Sequence, residues 1–263
     1  FMVVMVVAFV LFFIAMSGTI DHWPMLLATA TYEIGTSWLM ILLYLFLAFL
    51  LLDILRLCHV LPMSVVRGNA WTSAALAIFM TVLFVYAYFH FDDKKRVELT
   101  VTTDKPLDSD LTLVLVSDLH LGYHNTRADL HRWLQLLKAE NPDAILIGGD
   151  IIDGSYRPVA ETAMAEEFRS LGIPVYACLG NHDYYTGLDA DIRFCQEAGI
   201  HLLRDETADF RGITIIGRDD RTNIRRKSLA AILQSTDKHR FLLELDHQPY
   251  HLEEAEHNGI DFE

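Results

Sequence analysis

Cysteine is scarce in this sequence of 263 residues, which has three cysteines and no CxxC pair. A thiolate zinc site or a disulfide framework needs several cysteines at short, regular spacings. Both are therefore excluded as the basis of the fold. Cys58, Cys178 and Cys195 are expected to be buried or free thiols.

Positive charge is also scarce, with 21 Lys and Arg against 35 Asp and Glu. Residues 1–96 hold five of the basic and five of the acidic residues, so residues 97–263 carry the whole formal charge of −14. Binding to nucleic acid requires Lys and Arg to neutralise phosphates, so no nucleic-acid partner is expected. The acidity predicts a domain that stays dispersed in water.

Charge is absent from three long apolar runs, Phe1 to Met16, Trp38 to Leu52 and Ala70 to Phe89. A membrane helix needs about 20 apolar residues, and the last two runs approach that length with their flanks. Three buried core helices are the alternative, but Trp38 to Leu52 has no polar face to turn toward water. We therefore predict an integral membrane protein, with a membrane region of three apolar helices at 1–96 and a separate domain at 97–263.

The first apolar run has no charged n-region and no initiator Met, so it does not match a signal peptide. We expect Phe1 to fall inside a membrane helix of a longer chain. The orientation of the helices stays open, because the charges conflict. Arg56 and Arg67 favour a cytoplasmic loop after the second run, whereas the basic residues at 94–96 favour the opposite side after the third.

After residue 96 the pattern changes to short apolar runs that alternate with amphipathic stretches, which indicates an α/β domain. Val97 to Thr102 alternates as an edge strand does. Further strands are predicted at 111–116, 144–147, 173–179, 201–203, 213–216 and 241–245. Helices are predicted at 126–139, 158–171, 188–198, 228–234 and 250–258.

Four polar segments follow predicted strands or close them: SDLHLG (117–122), GDIID (149–153), GNHD (180–183) and LDHQP (245–249). Ligands in open α/β sheets collect beyond the carboxyl ends of strands, so these loops are expected to converge. Hard oxygen ligands and imidazoles suit a pair of divalent metal ions. An N-cap Asp or a hydrogen-bonded core His explains any one segment, but not four in this arrangement.

The residue types suggest individual roles in such a site. Asp118 and His120 are two residues apart, so in an extended segment their side chains point the same way and serve one ion. Gly149 lets the backbone approach the ions closely. Asp150 has two oxygens with which to bridge two cations. The remaining candidates are Asn181 as an oxygen ligand, His182 as a substrate contact and His247 as a further imidazole.

Together the four segments resemble the calcineurin-like metallophosphoesterase family, and more closely its membrane-attached branch, over about residues 111–263. The resemblance implies a four-layer αββα sandwich, in which two β-sheets are flanked by helices. It also implies a dinuclear centre of two divalent ions (Mn, Fe, Zn or Mg). The implied ligands are Asp118 and His120 for the first ion, Asp150 as the bridge, and Asn181 and His247 for the second ion.

The same resemblance implies that His182 is the catalytic histidine, which protonates the leaving oxygen or stabilises the phosphoryl transition state. Asp153 is implied to orient that histidine. The expected function is a membrane-anchored phosphoesterase that hydrolyses a phosphate mono- or diester with a metal-activated water, with lipid-linked esters among its candidate substrates. A catalytically inactive membrane scaffold of the same fold is the alternative, and the intact ligands favour the enzyme.

One departure from the family concerns its final GHxH segment, which supplies one histidine to each ion and is absent here. His251 and His257 do not match it, and the sequence stops at Glu263. We therefore expect the natural protein to continue, and this chain as it stands to bind metals poorly.

Two further features bear on the substrate. Leu179 stands before Gly180, where the protein phosphatases of the family have Arg, which argues against phosphoprotein substrates. The basic residues between Arg218 and Lys227 are interpreted as a solvated loop, with a phosphate or headgroup site as the alternative.

Overall fold

The computed structural model describes residues 2–66 and 68–263, so the expectations for Phe1 and Arg67 lie outside the described residues. The chain divides into two compact units, one reaching to Val101 and one from Thr102 to Glu263. The strand predicted at 97–102 does not form, and its apolar side chains are exposed. An alternating pattern makes a strand only where a neighbouring strand can share its hydrogen bonds.

The first unit is helical. Its helices are α1 (Met2–Met16), α2 (Met25–Leu57), α3 (Met63–Val66) and α4 (Ala70–Asp92), with a 3-10 turn at Thr19–His22. Helix α2 packs closely on α1 at Gly35, where a Cβ atom would lie 2.8 Å from the Cα of Phe12. The absence of a side chain at Gly35 therefore permits this close backbone contact.

Two of the described helices, α2 and α4, are long and apolar enough to cross a bilayer by length and composition. With 33 and 23 residues, they measure about 50 and 35 Å, against roughly 30 Å of hydrocarbon. Helix α1 has 15 residues and falls short. Helix α2 begins at Met25, directly after Pro24, and so includes residues that precede the apolar run at Trp38.

The second unit contains two β-sheets. The first has the order β1-β2-β3-β4 with all strands parallel, and comprises β1 (Leu113–Val116), β2 (Ala144–Ile147), β3 (Val175–Ala177) and β4 (His201–Leu202). The second has the order β5-β6-β7 and comprises β5 (Glu206–Phe210), β6 (Ile213–Gly217) and β7 (Phe241–Leu245). Strands β5 and β6 are antiparallel, whereas β6 and β7 are parallel.

Strand β2 shows how the layers form. Ile145 and Ile147 belong to the core between the first sheet and its helices, whereas Ala144 and Leu146 belong to the core between the two sheets. This division follows from the alternation of side chains along a strand. Leu242 of β7 lies in a third core, against the helices of the second sheet. The predicted sandwich of two sheets flanked by helices is therefore confirmed.

The helices of this unit are α5 (Arg127–Ala139), α6 (Tyr156–Glu161), α7 (Ala165–Arg169), α8 (Asn181–Thr186), α9 (Leu188–Ala198), α10 (Leu229–Ile232) and α11 (Leu252–Asn258). The single helix predicted at 158–171 is wrong, because the chain breaks between α6 and α7, where Ala163 has a φ of +55°. Strand β5 and the short helix α8 were not predicted. Strand β5 reads as polar because alternate side chains at this sheet edge face water.

Candidate metal centre

Hydrogen bonds between backbones join the first two polar segments beyond the ends of β1 and β2. The N–H of Asp118 donates to the carbonyl of Gly149 at 3.1 Å, and that of His120 donates to the carbonyl of Asp150 at 3.0 Å. The two parallel strands end side by side, so the loops that follow them stay in register. This pairing brings Asp118, His120 and Asp150 to one edge of the sheet.

The backbone at this edge is not extended. Asp118, His120 and Asp150 have φ values of +57°, +43° and +53°. Non-glycine residues in this left-handed region cost about 1 to 3 kcal/mol each and cluster at functional sites. Asp118 and His120 therefore approach each other with left-handed backbone conformations, and the expectation that an extended segment aligns them is wrong in its geometry.

Two imidazoles face one oxygen of Asp150. His120 Nε2 lies 3.6 Å from Asp150 Oδ2 and 3.6 Å from Asp118 Oδ1. His247 Nε2, which follows β7 of the other sheet, lies 3.2 Å from the same Asp150 Oδ2. Asp150 is only 2% exposed. A buried carboxylate between two imidazoles is placed to bridge two cations.

The hydrogen bond on the far side of His247 fixes the orientation of this ring. Its Nδ1 lies 2.7 Å from the carbonyl oxygen of Gly148, which only accepts hydrogen bonds, so Nδ1 carries a proton and Nε2 points to Asp150. The hydrogen bond to Asp150 raises the pKa of His247 to about 9. Burial favours the neutral form of Asp150, but hydrogen bonds from His247 and the backbone of His182 outweigh it and lower its pKa.

Asp153 links the candidate catalytic histidine to the ligands. Its Oδ1 lies 2.7 Å from His182 Nδ1, and its Oδ2 lies 3.8 Å from His120 Nδ1. The two imidazole rings are 4.6 Å apart and nearly perpendicular. The backbone N–H of His182 also donates to Asp150 Oδ1 at 2.9 Å. His182 is thus held beside the candidate ligands Asp150 and His120 by contacts of both its ring and its backbone.

Asn181 begins α8, and its amide oxygen accepts a hydrogen bond from Gln248 Nε2 at 2.8 Å. This contact joins the third and fourth polar segments. Asn181 is therefore brought to the site, and its role as a metal ligand stays a prediction. Gln248 was missed in the sequence, although its position next to His247 is a signal for it.

Asp183 is a second residue that sequence reasoning missed. It is fully buried, and its two oxygens accept four backbone N–H groups, from Gly180, Asp150, Ile151 and Ile152. Asp183 is the third residue of α8. From this position an acidic side chain commonly accepts the backbone N–H of the residue that precedes the helix, here Gly180.

Glycine allows the segments to approach this closely. A Cβ atom on Gly180 would lie 2.6 Å from the backbone nitrogen of Asp150 and would overlap its carboxylate. A Cβ atom on Gly149, whose φ is +92°, would lie 2.9 Å from the His247 ring. Both positions therefore require the bare backbone.

Much of the basic stretch between Arg218 and Lys227 is tied into the domain. Arg218 is 4% exposed, and its Nη1 lies 3.0 Å from Glu244 Oε1. Arg226 donates to Asp246 at 3.0 Å, next to His247. The interpretation of the whole stretch as a solvated loop is therefore wrong for these two arginines, whose charges pair with carboxylates.

The donor set fits divalent ions. Ligand atoms of Asp118, His120 and Asp150 all lie within 4.8 Å of one another, as do those of His120, Asp153 and His182. Carboxylate oxygens combined with imidazole nitrogens suit Mn²⁺, Fe²⁺ or Zn²⁺. His247 Nε2 and Asp150 Oδ2 lie 3.2 Å apart, and a bound cation would replace a proton between these two groups.

Comparison with known proteins agrees with this geometry. The family model described as calcineurin-like phosphoesterase matches residues 111–260. The chain belongs to this family. The family as a whole implies a hydrolase of phosphoric esters, and its members typically use divalent metals. The matched residues contain all seven predicted site residues.

Several curated proteins are similar to the chain. A metallophosphoesterase of Aquifex aeolicus, itself uncharacterised, is 28% identical over 65% of this chain and 69% of its own length. A transmembrane protein with metallophosphoesterase domain from Danio rerio is 30% identical over 54% of this chain and 34% of its own length. The UDP-2,3-diacylglucosamine pyrophosphatase LpxG of Chlamydia trachomatis is 35% identical over 31% of this chain and 25% of its own length. The chain thus spans a quarter to about two thirds of these relatives.

Proposed function

We propose that the protein is a membrane-anchored phosphoesterase that hydrolyses a phosphate mono- or diester at a dinuclear metal centre. The observation that carries the proposal is the convergence of His120 Nε2 and His247 Nε2 on Asp150 Oδ2, at 3.6 and 3.2 Å. Two imidazoles that come from different sheets and share one buried carboxylate oxygen match the needs of two neighbouring cations.

Each residue has a distinct part in this proposal. Asp118 and His120 would hold one ion, Asn181 and His247 would hold the other, and Asp150 would contribute to both. When bound, the two ions would supply an activated water and neutralise the charge of the phosphate. The protein's own task is then to fix these ligands and to deliver a proton.

His182 is the residue proposed to deliver that proton. Asp153 accepts a hydrogen bond from its Nδ1 at 2.7 Å, which leaves Nε2 for the substrate. The side chain of His182 is 36% exposed, so a substrate has access to it. Nε2–H donates to the leaving oxygen of the ester, and the Asp153 carboxylate stabilises the charged ring before that transfer.

The membrane is the proposed location. Helices α2 and α4 have the length and composition to span a bilayer, and the similar Danio rerio protein is described as a transmembrane protein. The Chlamydia trachomatis relative acts, by its name, on an acylated glucosamine nucleotide. We therefore propose a lipid-linked phosphate ester or pyrophosphate as the substrate class, presented at the membrane surface.

Hydrolysis of a chromogenic phosphodiester by the whole protein in detergent tests the proposal. We expect hydrolysis that depends on added Mn²⁺, is abolished by a chelator and is lost in His182→Ala. Glu140→Gln, a change of a partly exposed carboxylate at the end of α5, is the control and should keep full activity. Stoichiometric metal binding without hydrolysis of mono- or diesters would favour the scaffold instead.

A further inference from the structure

The basic stretch contains two kinds of arginine. In the basic loop, defined here as residues 219–227, Arg226 pairs with Asp246 at 3.0 Å and is partly buried. Arg221 and Arg225 are exposed. Among the residues that the structure describes, no carboxylate forms an ion pair with either of these two guanidinium groups. Two positive charges therefore stand without acidic partners on the surface of an acidic domain.

Buried contacts hold the basic loop in place. Asp219 is 1% exposed, and its Oδ1 accepts a hydrogen bond from the Tyr184 hydroxyl at 2.6 Å. Its Oδ2 accepts hydrogen bonds from Arg204 Nε at 2.7 Å and from Asn223 Nδ2 at 2.8 Å. Tyr184 belongs to α8, the helix that carries His182. The loop is therefore fixed to an element of the candidate metal centre, and its outward side chains have a set position.

The outer side of the loop also carries an apolar side chain. Ile224 lies between the two exposed arginines in the sequence and is 94% exposed. Tyr250, in the segment that follows β7, is 67% exposed, and the guanidinium of Arg221 lies 4.3 Å from the centre of its ring. A single exposed apolar side chain is common on protein surfaces. Here it accompanies two cations and an aromatic ring, and we call Arg221, Ile224, Arg225 and Tyr250 the Ile224 patch.

The charges indicate which partner fits the Ile224 patch. Residues 97–263 carry the whole formal charge of −14, so an anionic surface repels most of the domain. Attraction requires cations without acidic partners, such as Arg221 and Arg225. Anionic lipid headgroups attract such cations, and the boundary with the acyl chains accommodates isoleucine and tyrosine side chains. A soluble phosphate would account for the two arginines but not for the exposure of Ile224.

We propose that the Ile224 patch docks the two-sheet domain on the anionic headgroups of a bilayer, with Ile224 inserted among the lipids. The patch lies beside the candidate metal centre, because Arg226 of the same loop donates to Asp246 and Tyr250 is three positions after His247. Docking through the patch brings the metal centre to the membrane surface. The proposal rests on the proposed membrane location but not on the proposed hydrolysis.

The test uses the whole protein with Ile224→Cys and Cys58→Ser, labelled with a thiol dye whose emission reports polarity. Cys178 and Cys195 are buried, so the label goes to position 224. The protein is placed in nanodiscs of phosphatidylcholine alone, or of an equal mixture of phosphatidylcholine and phosphatidylglycerol. We expect a blue shift of the emission in the anionic nanodiscs only, and a smaller shift at high salt because salt screens the headgroup charge.

A pair of matched double variants tests the role of the arginines. Arg221→Gln combined with Arg225→Gln should abolish the shift, since it removes both exposed cations and none of the buried contacts of the loop. The control is Lys138→Gln combined with Lys238→Gln, which removes the same charge from exposed residues outside the loop and should keep the shift.

Several outcomes would overturn the proposal. An equal shift in neutral nanodiscs, or in the double arginine variant, would show that the dye enters lipid by itself. The absence of a shift in anionic nanodiscs would show that the patch does not dock. A shift caused in detergent by glycerol phosphate alone would assign the patch to a soluble ligand. Failure of the protein to enter nanodiscs would contradict both the membrane location and the docking, whereas docking without ester hydrolysis would contradict only the proposed chemistry.

Discussion

His182 Nδ1 and Asp153 Oδ1 lie 2.7 Å apart, and the other oxygen of Asp153 lies 3.8 Å from His120. One carboxylate thus contacts both the candidate proton donor and a candidate metal ligand. Substitution of His182 is nevertheless expected to lower the catalytic rate, whereas substitution of His120 is expected to weaken metal binding. His182 reaches toward solvent, whereas His120 faces Asp118 and Asp150.

The first prediction concerns His182→Ala. The variant should bind Mn²⁺ as the wild type does, because the imidazole is proposed to serve the substrate rather than the ions. Its kcat should fall by about 10² to 10⁴ fold, the usual contribution of a positioned proton donor. Kinetics together with metal analysis measure both quantities, and metal loss that matches the loss of rate would contradict this role. Asp153→Asn should keep the His182 ring in place, and its kcat should lie between those of the wild type and of His182→Ala.

The second prediction concerns Asp150→Asn. The amide keeps the size of the side chain but removes the charge that both His120 and His247 face, so both ions should be lost together. Metal content after dialysis is the measurement, with Asp110→Asn, an exposed carboxylate, as the control. Retention of one tightly bound ion would show that Asp150 is not a bridge.

How much of the fold and of the candidate site could be predicted from the sequence depends on how far apart the interacting residues lie along the chain. The sequence predicts β2, β7 and α9 with the bounds that the structure shows, because each is a continuous local pattern. It also predicts the convergence of the four polar segments, since strand ends meet at one sheet edge. These features need only local periodicity and a general rule of topology.

Asp183 and the left-handed turns could not be predicted in the same way. The four partners of Asp183 are backbone N–H groups, which every residue except proline possesses, and three of them lie about 30 positions away. No residue pattern records such a contact. Likewise, Asp118 and Asp150 have positive φ values, which non-glycine residues rarely adopt, so a local sequence pattern does not predict them.

The third prediction concerns Gly180→Ala. The added methyl would meet the backbone and carboxylate of Asp150, neither of which can move without disturbing the site. We expect a loss of about 1 to 3 kcal/mol in the free energy of unfolding, typical of overpacking, and weaker Mn²⁺ binding. Gly148→Ala is the matched control, because its methyl would meet Ser117 at an ordinary 3.4 Å. Equal effects of the two changes in denaturant titrations would disprove the explanation.

The fourth prediction concerns the metal-free protein. The pKa of His247 is about 9 in the folded state and about 6.5 when unfolded, so its pairing with Asp150 stabilises the protein fully below pH 6.5. That contribution should disappear as the pH rises through 9, with a loss of at most about 3 kcal/mol. The measurement is the free energy of unfolding of the wild type and of His247→Gln, in the presence of a chelator and over a range of pH. Added Mn²⁺ should offset the loss by taking the place of the proton, and a pH-independent difference between the two proteins would contradict the pairing.

The last prediction is that a fragment starting at Val97 folds without the helical region. The cores of the two-sheet domain consist of residues from Leu107 onward, and residues 97–102 are exposed. The fragment should be soluble. It should hydrolyse a soluble phosphodiester about as fast as the detergent-solubilised whole protein does. It should lose rate on a lipid-linked ester in vesicles, because anchoring raises the effective substrate concentration without adding contacts. If the fragment aggregates while the whole protein is folded, the helices belong to the core of the enzyme and anchoring is not their main role.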